Sequence, residues 1–195
     1  MNVPLFPLNA VLCPGGKLPL RIFEPRYLDM IKGCLKDDTG FVVVLMKPDH
    51  QEGFGLPFHE QGTLAKIVDF DAGKDGLLHI IVEGQQAIRI VNADLADNGL
   101  WWAEVKPLEE AQARSGHVPV PHQFEELQQV LKALVQHPTV GELNLRIDFE
   151  DSQQVGLRLT ELLPLENTQK QYLFELDDPI YRLKKISDQL AELSS

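Results

Sequence analysis

The chain has 195 residues, which is enough for one large domain or two small ones. Its hydrophobic fraction of 44% and charged fraction of 24% are those of an ordinary globular protein, so we expect neither a disordered nor a fibrous chain. The formal net charge is −11. A charge of this sign opposes binding to nucleic acid, which is a polyanion, and to an anionic membrane surface.

The distribution of serine excludes a further class of protein. Ser115 is the first of the five serines, and Thr39 and Thr63 are the only threonines before it. The first half of the chain therefore cannot hold the nucleophile of a serine hydrolase.

Two cysteines, Cys13 and Cys34, are too few for a disulfide framework, and their spacing matches no CxxC redox motif. We interpret both as small, buried apolar residues. The N-terminus shows no basic segment followed by an apolar run, and no apolar stretch reaches the roughly 18 residues that span a membrane. We therefore expect a cytoplasmic protein.

The first half of the sequence predicts short strands separated by turn residues. Gly84 lies between two strand-like runs, where we expect a bulge or a bend. A hairpin turn is predicted at residues 73–76. The strands are predicted over residues 3–8, 17–22, 41–46, 63–70, 77–82, 87–91 and 102–108. Strands of this kind indicate a compact, mostly antiparallel barrel or sheet.

One helix is predicted among these strands. Glu24 followed by Pro25 suits a helix start, because proline is tolerated in the first turn and a carboxylate is favourable there. Tyr27, Ile31 and Cys34 then repeat with helical spacing and form an apolar stripe.

The second half has the three- and four-residue apolar spacing of amphipathic helices. Asp151 or Ser152 can cap one helix, and Asp178 followed by Pro179 predicts the start of another. The apolar residues with this spacing fall within 124–134, 139–145, 155–162, 165–176 and 183–193. We expect a C-terminal α-helical bundle. The domain prediction is a β-domain over residues 1–110, a linker over 111–121 and a helical domain over 122–195.

The N-terminal segment carries a specific family motif. Residues 4–16 read PLFPLNAVLCPGG and residues 18–27 read LPLRIFEPRY. This pattern resembles the LON substrate-binding domain, the N-terminal domain of ATP-dependent Lon proteases. GTLAKI at 62–67, VEGQQAIRI at 82–90 and KQYLFE at 170–175 extend the likeness over essentially the whole chain. The resemblance implies a bacterial α+β protein, with a PUA-like β-barrel that contains one helix, followed by the helical bundle.

The catalytic motifs of a Lon protease are not found in this sequence. No G-x-x-x-x-G-K-[ST] motif is present to hold nucleotide phosphates. Lys74-Asp75-Gly76 resembles the start of the peptidase motif, but Leu77-Leu78-His79 follows where a serine is needed. We therefore predict a stand-alone recognition domain, with no catalytic residues and no cofactor, and not an enzyme.

Two groups of side chains could suggest a metal site. Asp71 could begin a calcium loop, but its twelfth position is Val82 and not glutamate, so we interpret the acidic cluster as a solvated turn. His117 and His122 have no third ligand nearby in a proline-rich segment, whereas a zinc site needs three or four ligands. We predict no metal.

Six residues form the candidate binding surface. Trp101 and Trp102 are adjacent in a strand, so one can lie in the core and the other must face outward, as an interdomain contact or as a ligand platform. The FEPRY motif adds four candidates of the same peptide-binding or interdomain surface, of which Glu24 and Arg26 can also serve a purely structural role: Phe23, Glu24, Arg26 and Tyr27.

The resemblance predicts a non-enzymatic module that binds unfolded or exposed polypeptide segments, or other proteins, in a groove between the barrel and the bundle. The alternative is a small-molecule or RNA binder, because PUA-like barrels in other families bind RNA. Basic residues are locally in excess in the N-terminal segment, which keeps the RNA alternative open, although the net charge of −11 weighs against nucleic acid. We expect no membrane partner.

Overall fold

The structure is a computed structural model that describes residues 1–51, 55–73, 75–108 and 116–193. The chain divides into two compact units, Met1–Leu108 and Glu109–Ser195. Each unit has its own apolar core. Residues 111–115 of the predicted linker and Lys74 of the predicted hairpin turn lie outside the described residues.

Six strands build the first unit. They are β1 (Asn2–Leu8), β2 (Lys17–Ile22), β3 (Phe41–Met46), β4 (Phe58–Ala72), β5 (Leu78–Leu95) and β6 (Trp101–Pro107). Their order in the sheet is β2-β5-β4-β3-β1-β6, and β6 also pairs with β5. β1 pairs with β3 in parallel, with Leu5 opposite Val42, and the other pairings are antiparallel.

The prediction of a PUA-like β-barrel is confirmed only in its coarser part, strands that are mostly antiparallel together with one helix: the six strands form a mixed sheet in which β2 is an edge strand. Among the described strands, β2 pairs only with β5 and ends the strand order, so the sheet keeps an edge. Pro19 in β2 suits such a position, since proline cannot donate to a further strand. The sequence could not reveal this difference, because alternating apolar residues have the same pattern in an open sheet and in a barrel.

The predicted helix, α1 (Pro25–Asp37), covers the apolar core of this sheet. Its expected stripe is buried, with Met30 added to Tyr27, Ile31 and Cys34. These side chains share one core cluster with Phe41 of β3. The sequence prediction of this helix and its buried face is confirmed.

The two strands predicted on either side of Gly84 are one long strand, β5. The expected bulge is present, because the pairing with β4 shifts register between Leu64 and Ala65. A Cβ atom at Gly84 would lie 2.3 Å from the carbonyl oxygen of Cys13, which is closer than any real contact. Glycine is therefore required here so that the loop after β1 can approach the strand.

Helices build the second unit. After a 3-10 turn at His122–Phe124 they are α2 (Glu125–Val135), α3 (Pro138–Gly141), α4 (Ser152–Leu162), α5 (Asn167–Glu175) and α6 (Pro179–Leu193). Four of these helices, α2, α4, α5 and α6, share a core that includes Leu131, Leu159, Leu173 and Ile186. In α5, Leu173 and Phe174 are buried, whereas Tyr172 is exposed. Within the described residues, no helix is long and apolar enough to cross a membrane.

The start of α4 is fixed by residues of the predicted linker. Asp151 caps the helix, accepting hydrogen bonds from the backbone N–H groups of Gln153 and Val118, each over 3.3 Å. The backbone N–H of Ser152 donates to the Val118 carbonyl over 2.7 Å, and its hydroxyl donates to the Pro119 carbonyl over 2.9 Å. Residues 118 and 119 are thus part of the helical unit.

Arg182 of α6 lies in the interior of the same unit. Its Nε donates to the Leu173 carbonyl over 2.8 Å, and its Nη1 donates to Oε1 of Gln153 over 2.6 Å. Its Nη2 donates to the Leu176 carbonyl. The guanidinium thereby holds the end of α5 against α4 and α6, and Gly156 of α4 leaves room for its stem.

Candidate binding site around Arg26

Arg26 occupies the junction between the start of α1 and the turn that joins β5 to β6. Its Nε and Nη2 bind Oε2 of Glu24 over 2.9 Å and 2.8 Å. Its Nη1 donates to the Gly99 carbonyl over 2.6 Å. The guanidinium also lies 4.7 Å from the centre of the Tyr27 ring, in cation–π distance.

The local sequence explains both halves of this junction. Glu24 has extended backbone geometry at the N-terminus of α1, and Pro25 occupies the first helical turn. On the other side, Gly99 adopts a φ of 78°, which glycine allows without strain, and its N–H donates to the Ala96 carbonyl. Asn98 completes the turn by accepting from the N–H of Leu100 over 3.0 Å.

A cavity of about 310 Å³ opens beside Arg26, and we name it the Phe23 cavity. Five of the six predicted site residues line it, together with Phe6: Phe23, Glu24, Arg26, Tyr27 and Trp101. Segments far apart in sequence therefore meet here, since α1, β1 and β6 each contribute side chains.

The walls of the Phe23 cavity are aromatic. The ring centres of Phe6 and Tyr27 are 4.2 Å apart, and the Trp101 ring packs edge-on against Phe58 at 5.3 Å. Phe23 stands at the rim with 66% of its surface exposed, and Met46 with 41%. Exposed apolar side chains that adjoin an apolar cavity are one feature of binding surfaces.

Burial raises the pKa of Tyr27, with the Arg26 guanidinium acting in the opposite direction and Glu24 adding to the rise. The phenol is therefore neutral throughout the physiological range and can act as a hydrogen-bond donor but not as a base.

Trp102 faces a second cavity, of about 640 Å³, which we name the Trp102 cavity. Arg26 lines both cavities. Trp101 is half-buried against the core, whereas Trp102 is 39% exposed, as the alternation of side chains along a strand predicts. The structure thus places Trp102 in a different cavity from Phe23, Glu24, Tyr27 and Trp101, while Arg26 borders both cavities.

Sequence reasoning missed Phe6, Met46 and Gly99 as parts of this site. Phe6 lies within the family motif, which was the available signal for it. Nothing in the sequence connects Arg26 with Gly99, because 73 residues separate them and the contact is made to a backbone carbonyl.

The residues considered for metal binding have other neighbours. Asp75 accepts from the N–H of Leu77 over 3.1 Å and pairs with Nε2 of His79 at 3.0 Å, and these bonds lower the pKa of its carboxyl. His117 faces Asp148 at 3.4 Å, and His122 faces Glu125 at 3.9 Å. Over residues 1–51, 55–73, 75–108 and 116–193, no group of three or more possible metal ligands comes together.

The sequence model of the ATP-dependent protease La (LON) substrate-binding domain matches residues 2–192. The chain belongs to this family. Its resemblance to the family, carried by the N-terminal motif, is thereby confirmed. This LON domain superimposes on the crystal structure of a Lon N-terminal domain protein from Xanthomonas campestris with a TM-score of 0.77 and 32% identity, covering 96% of this chain and 98% of that one.

Further relatives of this LON domain are parts of larger proteins. The N-terminal domain of a Mycobacterium avium complex Lon protease has a TM-score of 0.64 at 18% identity, covering 96% and 97% of the two chains, and thus shares the fold. The Lon proteases of Phenylobacterium zucineum and Escherichia coli K12 are 26% and 24% identical over 97% and 94% of this chain. The chain spans 24% of the length of each of these two proteases.

Proposed function

We propose that this LON domain is a recognition module that binds exposed apolar segments of polypeptide at the Phe23 cavity, without a catalytic step. The observation that carries this proposal is the rim of the cavity, where Phe23 and Met46 are exposed beside an aromatic interior. The family's description as a substrate-binding domain and its occurrence in Lon proteases supply the class of ligand.

The size of the cavity limits what it accepts. A volume of about 310 Å³ is at the lower end of the range of small-molecule sites. It suits one large apolar side chain of a polypeptide, while the backbone of that polypeptide passes along the rim beside Phe23 and Met46. Aromatic walls favour an aromatic or long aliphatic side chain, because such groups pack closely against ring faces and edges.

Two arginines line the cavity, and they give little attraction for an ionic ligand because Arg21 is exposed to solvent and Arg26 is paired with Glu24. The Arg26 guanidinium is held by the Glu24 carboxylate and the Gly99 carbonyl, so each of its three nitrogens already has a partner. Binding is then driven by burial of apolar surface, which contributes about 1.5–3 kcal/mol for one large side chain. Because association itself costs several kcal/mol, one buried side chain is not enough, so binding needs further apolar contacts along the rim and should be weak for a single segment.

Calorimetric titration with a permanently unfolded, alkylated model protein tests this proposal. The Phe23→Ser variant should bind at least about fivefold more weakly than the unchanged chain, because it removes the most exposed ring at the rim. Phe70→Ser is the matched control, since Phe70 is another phenylalanine of similar exposure, 59%, and does not line the cavity. Undiminished binding by Phe23→Ser, or an equal loss in both variants, contradicts the proposal.

The salt dependence of the same titration separates polypeptide from RNA. Apolar binding should change little between low and physiological salt, whereas contacts to phosphates weaken steeply as salt rises. A strong decrease in the affinity for the unfolded protein on adding salt would contradict apolar binding. Binding of RNA at low salt in an electrophoretic titration would support the RNA alternative.

A further inference from the structure

The Trp102 cavity lies between α1 and the ends of β1 and β6. It is distinct from the Phe23 cavity, to which the polypeptide ligand is assigned. Its floor is apolar and includes Val3, Met30, Leu100 and Trp102. Its volume of about 640 Å³ is twice that of the Phe23 cavity and falls within the range of small-molecule binding sites.

Gly33 keeps this cavity open. It lies in the middle of α1, where glycine is less favourable than alanine because it loses more backbone freedom on folding. No steric clash requires glycine at this position, since a Cβ atom at Gly33 would meet nothing within 4 Å. The residue lines the cavity, so a larger side chain here would occupy its space.

Two carboxylates flank Gly33 on the same face of the helix. Asp29, Gly33 and Asp37 are four residues apart, which places them one above the other, and all three line the cavity. Asp37 also lies at the C-terminus of α1, where the helix dipole already carries partial negative charge. This end of the cavity therefore favours a cation.

The cations that line or border the cavity have partners of their own. Arg26 is bound by Glu24 and by the Gly99 carbonyl, and the Met1 ammonium donates to the Val105 carbonyl over 3.3 Å. Lys32 is 3.5 Å from Asp29, but both side chains are largely exposed, so water screens this pair.

We propose that the Trp102 cavity binds a compact aromatic cation. The ring of the ligand lies on the apolar floor against Trp102, whose exposed indole offers a face to an aromatic or cationic group. The cationic group lies toward Asp29 and Asp37, on either side of Gly33. The ligand therefore differs from the unfolded polypeptide of the proposed function, and its site differs from the Phe23 cavity.

The two tryptophans allow a direct test by NMR. Trp101 lines the Phe23 cavity and Trp102 lines the other, so the two indole N–H signals report on the two cavities separately. Trp101→Phe and Trp102→Phe assign the signals. Titration with benzylammonium should shift the Trp102 signal and leave the Trp101 signal in place. Benzyl alcohol should bind about threefold to tenfold more weakly and phenylacetate more weakly still, from the Coulomb energy of a nearby exposed charge.

Two variants distinguish binding in the Trp102 cavity from unspecific binding elsewhere on the surface. Gly33→Leu should abolish the shift of the Trp102 signal, and an unchanged Trp101 signal in this variant shows that the fold is intact. Asp37→Asn should keep binding of benzyl alcohol and reduce the preference for benzylammonium to about twofold or less. The proposal is overturned if benzylammonium leaves the Trp102 signal unmoved, if Asp37→Asn leaves the preference intact, or if Gly33→Leu folds and still binds.

Discussion

Arg26 binds the carbonyl oxygen of Gly99 through Nη1 over 2.6 Å, across 73 residues of sequence. The same guanidinium binds Glu24, two residues before it. One side chain thus connects the start of α1 to the turn between β5 and β6. Arg26 also lines both cavities.

Replacement of Arg26 by methionine should lower the free energy of unfolding by about 1–2 kcal/mol. It removes hydrogen bonds made by a charged donor, but the site is partly exposed, which reduces their contribution. Urea denaturation measures the change. Arg21→Met is the control, because Arg21 lies in the exposed part of the neighbouring strand, and it should change the unfolding free energy by less than about 0.5 kcal/mol. Equal effects of the two variants would contradict a structural role of the Arg26 junction.

Two glycine-to-alanine changes should have opposite effects on stability. Gly33→Ala should stabilise the protein by about 0.5–1 kcal/mol, because it improves helix propensity and its Cβ meets nothing within 4 Å. Gly84→Ala should destabilise it by about 2 kcal/mol or more, because its Cβ would lie 2.3 Å from the Cys13 carbonyl oxygen. Thermal unfolding followed by circular dichroism compares the two. A destabilising Gly33→Ala would mean that packing, and not the open cavity, requires glycine there.

The parts of the fold that could be predicted from the sequence depend on short-range signals. Asp178 followed by Pro179 gives the start of α6, and the spacing of Tyr27, Ile31 and Cys34 gives the buried face of α1. Both depend on residues within one or two helical turns of each other, where backbone geometry is local. The family motif extended the prediction to the class of fold.

Long-range pairing could not be predicted in the same way. The parallel alignment of β1 with β3 and the free edge of β2 depend on which strands meet, and apolar alternation carries no such information. The candidate site also depends on long-range pairing of strands. The motif supplied Phe23 and Tyr27, but the placement of Trp101 with them, and of Trp102 elsewhere, depends on how β6 pairs with its neighbours.

In the helical unit, Arg182→Met should lower the stability by about 2–4 kcal/mol. The change removes a buried cation and leaves the Leu173 carbonyl and the Gln153 amide without their present donor. Gln153→Leu removes one of these partners and should cost less. The loss of helical circular dichroism in urea measures both variants. A Gln153→Leu effect larger than that of Arg182→Met would show that the arginine does not organise this core.

Alkylation of Cys34 should be slow at neutral pH. Burial raises the pKa of its thiol, and Asp37 adds to the rise, while a hydrogen bond with Thr39 acts in the opposite direction. Since the thiolate is the reactive form, the rate at Cys34 should keep rising at alkaline pH beyond the point where a free thiol has reached its full rate. Peptide mapping by mass spectrometry, with glutathione as the reference thiol, follows the reaction at each pH. A rate profile that coincides with glutathione would contradict the effect of burial.

Recognition of polypeptide at the Phe23 cavity is tested most directly by titrating the ¹⁵N-labelled chain with the unfolded, alkylated model protein and following the two indole N–H signals. Trp101 lines this cavity beside Phe23 and Tyr27, whereas Trp102 faces the other one. We predict that the Trp101 signal shifts or broadens as the unfolded protein is added, and that Phe23→Ser suppresses this change while Phe70→Ser does not. An unmoved Trp101 signal at saturating unfolded protein, or an equal response in the Phe23→Ser variant, would contradict the account.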